Sequence, residues 1–354
     1  MNGIWLYSLS FLLSVALTAA PERSHEIQLR NNNYPVMPDS LFLQTAGIEK
    51  ILVRVFSDDE KNGGLYFSNS MIKAVRPVLD DWAPMYVNKK VELWAWMGVR
   101  YFSWYKDPGY LDRTWQDGQR QVIPKLDLFN PDVEAVVVGL FKQLAAKPIK
   151  GILIQDDLVL RHDEGFSNWG KAFFTRATGM NADERLMSQK GSTHNQAWKR
   201  LKCERVMQLL GKIIQTCKAV NSQLKIGMNI HYETPLAPGQ ARAWYAHDLP
   251  ALTASSLDYL YLMAYHRQIK KELGLSETAN QEYFGKMATA ALQSFGSRLV
   301  VKLQVRDWRT AQLIPLSELK AYYDLIPAEV ERVCFAAADP EDLPLIAQII
   351  NARL

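Results

Sequence analysis

The sequence predicts a single-domain α/β protein with the (β/α)8 architecture of a TIM barrel. Eight short runs of apolar, β-branched and aromatic residues recur along the chain, and helical patterns fill the intervals between them. Runs that are nearly continuous in apolar character are typical of parallel strands whose outer face is covered by helices. Eight strands close such a barrel, and a doubly wound open sheet is the alternative.

The predicted strands and helices alternate in a regular order. A helix is expected from Pro131, because Asn130 can cap it and proline suits the first helical position. A second long helix is expected over 196–220, and Ser276 and Ser317 are expected to cap later helices. No GxGxxG fingerprint follows the first strand, which argues against the nucleotide-binding form of the open sheet. The strands are predicted at 25–30, 51–56, 91–97, 151–156, 225–232, 259–265, 299–305 and 332–338.

Composition and motifs exclude several classes of protein. The 354 residues are 48% hydrophobic with a net charge of only +4, and no run of Lys or Arg suggests a nucleic-acid partner. Cys203 and Cys217 fall on one predicted helix, where a rise of 1.5 Å per residue separates them by roughly 21 Å, too far for a disulfide. Cys334 lies in an apolar run. No Walker A, HExxH, GxSxG or zinc-ligand spacing is present, so neither a metal nor a cofactor is expected.

The N-terminal segment, residues 1–20, predicts export. An apolar run from Ile4 to Ala20 ends in small residues. This run has the length of the hydrophobic region of a secretory signal peptide and is short for a membrane span. No Lys or Arg precedes it, so a retained membrane anchor is the alternative. The protein is therefore expected to be secreted or periplasmic, or else anchored through this segment, with the barrel over 21–354.

Acidic and aromatic side chains gather at the predicted C-terminal strand ends, where TIM barrels place their active sites. Aromatic rings stack on sugar faces, while carboxylates bind hydroxyls or amines and supply acid/base chemistry, so the pattern predicts a carbohydrate cleft. The acids outnumber His266 and Arg306, and such a cleft is expected to favour a polymer that bears free amines. The residues at these ends are Asp58, Trp96, Asp156, Asp157, His231, Glu233, Tyr265, His266, Asp307 and Trp308.

The residue pattern alone leaves several roles open. Asp156 and Asp157 could be a plain solvated strand end, and Asp58 continues into a turn-like composition. Adjacent residues on a strand point to opposite faces, so only one of the two neighbouring aspartates can face straight into the cleft. Glu233 is the next candidate for a second carboxylate, and the pattern does not decide between a catalytic and a structural role for it.

Several segments, in their order and spacing, resemble the C-terminal glycoside hydrolase domain of bacterial deacetylases that process poly-β-1,6-N-acetylglucosamine in biofilm export. The resemblance extends over nearly all of the chain after the N-terminal segment. Three departures stand out. Gln155 occupies a position where the family usually has His, and the segment after the fifth strand carries one extra residue before Trp244. The eighth strand ends in CFAAADP instead of a tyrosine-rich segment. The segments are LYFSNSMI (65–72), ELWAWMGV (92–99), GILIQDD (151–157), HDEGFS (162–167), NIHYETPLAP (229–238), AWYAHDLP (243–250), LMAYH (262–266) and LVVKLQVRDWR (299–309).

The resemblance implies an exported endo-acting glycosidase that cleaves partly de-N-acetylated poly-β-1,6-N-acetylglucosamine. The alternative is a non-catalytic binder of the same polymer that aids its export, with the export machinery as a candidate partner. Nothing matches the metal-binding Asp and HxxxH pattern of the deacetylase domain, so deacetylation is not expected. The implied catalytic residues are Asp156, Asp157 and Glu233, and the expected substrate-binding residues are Asp58, Trp96, Asp163, Glu164, Trp244, Tyr265, His266, Asp307 and Trp308.

Overall fold

The central feature of the computed structural model, which describes residues 23–29, 38–57, 59–102, 104–307 and 309–351, is a closed barrel of eight parallel strands. Strands that follow one another in the barrel pair in parallel, and the first strand pairs with both the second and the last to close it. The predicted TIM barrel is confirmed, and every predicted strand is present within three residues of its expected ends. The barrel strands are β1 Ser24–Leu29, β2 Ile48–Arg54, β3 Glu92–Met97, β6 Gly151–Ile154, β7 Lys225–Ile230, β8 Tyr259–Met263, β9 Leu299–Gln304 and β10 Arg332–Ala338.

Helices cover the outer face of the barrel. Asn130 caps the helix Pro131–Ala145 by accepting from the Asp132 N–H, and Ser276 caps the helix Glu277–Phe295 by accepting from the Ala279 N–H, as predicted. The expected cap at Ser317 is wrong, because the helix starts one residue earlier, after Pro315, and Ser317 lies in its first turn. The helices are α1 Ser40–Thr45, α2 Val78–Tyr86, α3 Pro131–Ala145, α4 Asn168–Thr178, α5 Glu184–Ser188, α6 Thr193–Val220, α7 Glu233–Leu236, α8 Pro238–Tyr245, α9 Leu249–Ala254, α10 His266–Leu273, α11 Glu277–Phe295, α12 Leu316–Asp324 and α13 Leu343–Asn351, with 3-10 turns at Gly296–Arg298 and Pro340–Asp342.

The barrel interior has a small apolar layer of its own, separate from the larger core between strands and helices. Trp94 and Trp96 both point inward, because residues two apart on a strand share a face. Toward the N-terminal end of the barrel, Lys50 pairs with Glu26 at 2.5 Å, and the Tyr261 hydroxyl donates to the same carboxylate. The apolar layer consists of Leu52, Trp94, Leu153, Tyr261, Val300 and Cys334.

An antiparallel hairpin between β3 and α3 was not predicted. It consists of β4 Leu111–Gln116 and β5 Gln119–Leu126, joined at Asp117 and Gly118, which both have positive φ. An Asp-Gly pair is a strong signal for such a two-residue turn, so the hairpin could have been found in the sequence. The Trp115 N–H donates to the Asp163 carbonyl at 2.9 Å, which attaches the hairpin to the loop after β6.

The predicted signal segment, residues 1–20, lies outside the described part of the chain. Among the residues that are described, no helix is both long enough and apolar enough to cross a membrane. Cys203, Cys217 and Cys334 are buried and form no disulfide, as expected from the spacing of the first two and from the apolar run around the third.

Candidate active site

The loops after β6, β7 and β8 bring three predicted site residues to the C-terminal end of the barrel. Asp156 lies two residues beyond β6, Glu233 three beyond β7, and Tyr265 two beyond β8. Asp156 and Tyr265 are partly exposed and lie close enough for the Asp156 charge to raise the pKa of Tyr265, in addition to the larger effect of burial. The ends of three neighbouring strands therefore supply two carboxylates and a phenol to one mouth.

The two neighbouring aspartates have different surroundings. The Asp157 carboxylate accepts from the backbone N–H groups of Val99 at 3.0 Å, Arg100 at 2.7 Å and Tyr101 at 2.8 Å. Burial raises the pKa of Asp157, and these three donors act in the opposite direction. Asp157 therefore ties the loop after β3 to the loop after β6 and has little capacity left to accept from a ligand.

Asp156 has no such partners. Within the described residues, no other residue donates a hydrogen bond to its carboxylate, only its own backbone N–H does, and the side chain is partly open to the mouth of the barrel. Burial raises the pKa of Asp156, while the positive charges of Lys302, Arg161 and Arg54 limit the rise. A carboxyl group that keeps its proton longer than usual and is not held by the protein can donate that proton to a ligand.

Glu233 is the second carboxylate, and aromatic rings hold it in place. It begins α7 and is 6% exposed, with one oxygen accepting from the Tyr245 hydroxyl at 2.9 Å. Its other oxygen is buried without a partner among the residues described, and burial raises the pKa of Glu233. The Tyr245 ring in turn stacks on His231 at a centroid distance of 3.7 Å.

His231 links the surroundings of the two carboxylates. Its ring lies close enough to the Asp156 backbone for that backbone to act on its pKa, and it stacks on Tyr245, the partner of Glu233. Burial lowers its pKa to about 3, so the imidazole is neutral near pH 7. A neutral ring in this position orients its neighbours and supplies no charge.

A chain of polar side chains, which the sequence reading did not include in the site, forms the floor beneath Asp156. The Lys302 ammonium donates to Asn229 at 2.7 Å, and Asn229 donates to Gln155 at 3.3 Å. Lys302 is buried, and this burial lowers its pKa to about 8. A lone lysine inside the apolar run LVVKLQV was the available signal, because lysine is rarely buried without a partner.

Glu164 and Asp163 were expected to bind substrate, but the structure places both in contacts that hold the hairpin. Glu164 is 3% exposed and forms ion pairs with Arg100 and with Lys125. Although burial acts to raise it, these two cations hold the pKa of Glu164 at about 2. Asp163 accepts from Thr114 at 3.1 Å and from Gln116 at 2.6 Å. Both oxygens of Glu164 are therefore paired, whereas the two hydrogen bonds of Asp163 go to one of its oxygens.

His266 and Asp307, also expected in the cleft, take part in contacts near α12. The His266 ring is buried, bonds to Glu318 at 2.8 Å and stacks on Tyr322 at 4.0 Å. Asp307 lies 3.9 Å from Arg267, which itself pairs with Glu318. Both side chains are therefore engaged by protein partners, and none of these contacts involves Asp156.

Aromatic side chains remain available at the surface. Trp244 on α8 is 47% exposed and rests against His162 at a centroid distance of 5.2 Å. Trp96 is partly exposed and donates its indole N–H to Gln155. The remaining two predicted residues, Asp58 and Trp308, lie outside the described residues.

Two further observations concern other kinds of site. Among the residues that the structure describes, no group of three or more His, Cys, Asp or Glu side chains is placed to hold a metal ion. A cavity of about 950 Å³ opens at the opposite, N-terminal end of the barrel, lined in part by Lys50, Glu92 and Tyr259. It contains none of the predicted site residues.

Comparisons with known proteins agree with this geometry. The model of hypothetical glycosyl hydrolase family 13 (GHL13) matches residues 36–332. The solved PgaB (BpsB) glycoside hydrolase domain of Bordetella bronchiseptica is 19% identical with a TM-score of 0.75, and the match covers 93% of this chain and 99% of that one. This likeness agrees with the resemblance found in the sequence.

Two β-galactosidases also share the fold. The enzyme of the psychrophilic Marinomonas ef1 is 10% identical with a TM-score of 0.66, over 93% of this chain and 59% of that one. The enzyme of the haloarchaeon Halorubrum lacusprofundi is 10% identical with a TM-score of 0.62, over 93% and 57%. No curated protein sequence matches the chain.

Proposed function

The chain belongs to hypothetical glycosyl hydrolase family 13 and is a glycoside hydrolase, and we propose that its substrate is partly de-N-acetylated poly-β-1,6-N-acetylglucosamine, cleaved within the polymer. The segments that resemble the glycoside hydrolase domain of the polymer-processing deacetylases support this substrate. The likeness of the whole barrel to a PgaB domain supports it as well. Partly exposed Trp96 and Tyr265 and the exposed ring of Trp244 are suited to stack on sugar rings.

The observation that carries the mechanism is the pair of carboxylates with raised pKa values on the ends of neighbouring strands. Glycosidic cleavage needs a proton at the leaving oxygen and stabilisation of an oxocarbenium-like centre. Asp156, with a raised pKa and no hydrogen bond from another residue of the described chain, supplies the proton. Glu233, held by Tyr245, either stabilises the positive centre or orients the N-acetyl group of the substrate as the nucleophile. Asp157 keeps the Asp156 loop in place.

Product analysis with the full chain tests this assignment. Incubation with partly de-N-acetylated polymer should release oligosaccharides that mass spectrometry detects, and Asp156→Asn should abolish their release. Asp132→Asn is the matched control, because Asp132 is exposed on the first turn of α3, and it should cleave like the wild type. Release at the wild-type rate by Asp156→Asn would remove Asp156 from the mechanism.

A non-catalytic role in polymer export is the alternative, and one residue favours it. Gln155 stands directly before Asp156, where the related family usually has an ionisable histidine, so one potential acid/base group is missing. Under this alternative the wild type binds the polymer in a pull-down but releases no oligosaccharide. Binding without release, reproduced with both polymer and short oligomers, would establish it.

We propose further that residues 1–20 direct export and are removed after Ala20. Sequencing of the N-terminus of the protein recovered from the periplasm or medium tests this. A mature chain that still begins with Met1 in the membrane fraction would indicate the retained anchor instead.

A further inference from the structure

Four polar side chains form a hydrogen-bonded chain across the barrel from β9 to β3. Lys302 donates to the Asn229 oxygen, and the Asn229 amide nitrogen donates to the Gln155 oxygen at 3.3 Å. The indole N–H of Trp96 donates to that same Gln155 oxygen. Lys302 and Asn229 are buried, whereas Gln155 and Trp96 are partly exposed, so the chain runs from the interior to the mouth.

The direction of every hydrogen bond in this chain is fixed by its ends. An ammonium group and an indole N–H can only donate. Lys302 therefore requires the oxygen of Asn229, which leaves the Asn229 nitrogen to face Gln155. Trp96 independently requires the oxygen of Gln155 at the same point. Amide orientations are often ambiguous, but here two separate donors impose the same one.

These hydrogen bonds leave the Gln155 amide N–H groups as donors at the mouth of the site. Because its oxygen already accepts twice, Gln155 can offer only its amide N–H groups to the cleft. Within the described residues these N–H groups have no acceptor, and the side chain is partly exposed. The next residue is Asp156, whose carboxylate also receives no hydrogen bond from another described residue. A ligand held against Asp156 therefore meets an N–H donor of fixed orientation.

We propose that Gln155 is a specificity-determining residue whose outward amide N–H donates to an acceptor oxygen of the sugar unit held against Asp156. This inference deepens the proposed function and rests on it. The acceptor is either a hydroxyl oxygen or an acetamido carbonyl oxygen. The ammonium group of a free glucosamine cannot accept, and the positive charges of Lys302 and Arg161 near Asp156 act against it in the same way.

Binding of two tetramers to the full chain tests the donor. The ligands are β-1,6-linked glucosamine tetramers, one fully acetylated and one fully deacetylated, and all proteins carry Asp156→Asn so that no ligand is hydrolysed. Gln155→Glu keeps an oxygen for Trp96 and Asn229 but replaces the outward N–H with a second oxygen. Calorimetry should show the affinity for the acetylated tetramer falling by about tenfold, the loss expected for one hydrogen bond.

Matched variants separate loss of the donor from general damage. Gln223→Glu adds the same charge in the exposed turn before β7, at the opposite end of the barrel, and should change the affinity by less than about twofold. Gln155→His should restore binding to within about threefold of the parent, because one ring nitrogen can accept from Trp96 while the other donates outward.

Each outcome decides one point. If Gln155→Glu loses affinity only for the acetylated tetramer and Gln155→His does not, the inference is supported and the acceptor is the acetamido carbonyl. If Gln155→Glu loses affinity equally for both tetramers and Gln155→His does not, the inference is supported and the acceptor is a hydroxyl. Unchanged affinity in Gln155→Glu, or no restoration by histidine, overturns it. If the parent binds neither tetramer, the proposed substrate is wrong, and the same comparison is made with β-1,4-linked tetramers. If Gln155→Glu does not change the affinity for the β-1,4-linked tetramers, or if the parent does not bind them, the inference is overturned as well.

Discussion

Substituting each of the neighbouring aspartates by asparagine should separate structural stability from catalysis. Asp157→Asn should lower the free energy of unfolding strongly, because its carboxylate accepts from the backbone N–H groups of Val99, Arg100 and Tyr101. Asp156→Asn should leave stability nearly unchanged, because no other described residue donates a hydrogen bond to its carboxylate. Activity should be lost in Asp156→Asn even though its fold is intact.

The magnitude follows from the contacts. Hydrogen bonds to a charged group contribute about 1.5–3 kcal/mol each. The asparagine oxygen can keep two of the three donors of Asp157 without the charge, and its NH2 group faces the third. The neutral amide is less costly to bury than the carboxylate, whose pKa burial raises, and this offsets part of the loss. The net destabilisation should be about 2–3 kcal/mol for Asp157→Asn and within about 1 kcal/mol of zero for Asp156→Asn.

Urea unfolding at pH 7 and 25 °C measures both values. The comparison is made on midpoints at equal slope, since an altered slope would indicate a changed unfolded state or an intermediate. The structural reasoning is refuted if Asp157→Asn costs less than about 1 kcal/mol, or if Asp156→Asn costs as much as Asp157→Asn.

Four further outcomes are expected. Tyr245→Phe removes the donor to Glu233 and so raises the pKa of that carboxyl. As a result, kcat should fall about tenfold, and the acidic limb of the pH–rate profile should move to higher pH. Lys302→Met removes a positive charge that lowers the pKa of Asp156, so the basic limb should move to higher pH, and an unmoved limb would count against Asp156 as the acid. The pKa of Glu164 is about 2 against an ordinary 4.5, so ionised Glu164 contributes about 3 kcal/mol to the free energy of unfolding. This contribution is present above pH 5 and is lost as the pH falls toward 2. In urea titrations, the stability difference between wild type and Glu164→Gln should therefore be smaller at pH 3 than at pH 6. Activity should survive treatment with a chelator, and a loss that added zinc restores would contradict the prediction that no metal is used.

Most of the barrel could be read from the sequence because its strands are buried on both faces. Such strands form nearly continuous apolar runs, for example GILI in β6 and LVVKLQ in β9, and these runs are separated by helix signals. The hairpin of β4 and β5 was missed because its residues, such as Gln119 to Gln121, are exposed and polar. Its only strong signal was the Asp117-Gly118 turn.

The position of the site followed from topology, whereas the roles within it did not. Parallel strands put Asp156, Glu233 and Tyr265 at one end once the barrel is assumed. The difference between Asp156 and Asp157 depends on three backbone donors that are 56–58 residues away in the chain. No local pattern carries that information, because it arises only when the loops after β3 and β6 meet.

The expected electrostatic character of the cleft shows the same limit. Counting acids at strand ends indicated an acidic groove, but Glu164 is neutralised by Arg100 and Lys125. Lys302, which sits inside a strand and was not counted, acts with Arg161 and Arg54 to bring positive charge to Asp156. A preference for free amines on the polymer, if binding experiments find one, must therefore come from side chains farther from Asp156. The sugar unit at Asp156 itself meets cations and an amide donor, and these favour a neutral sugar with acceptor oxygens.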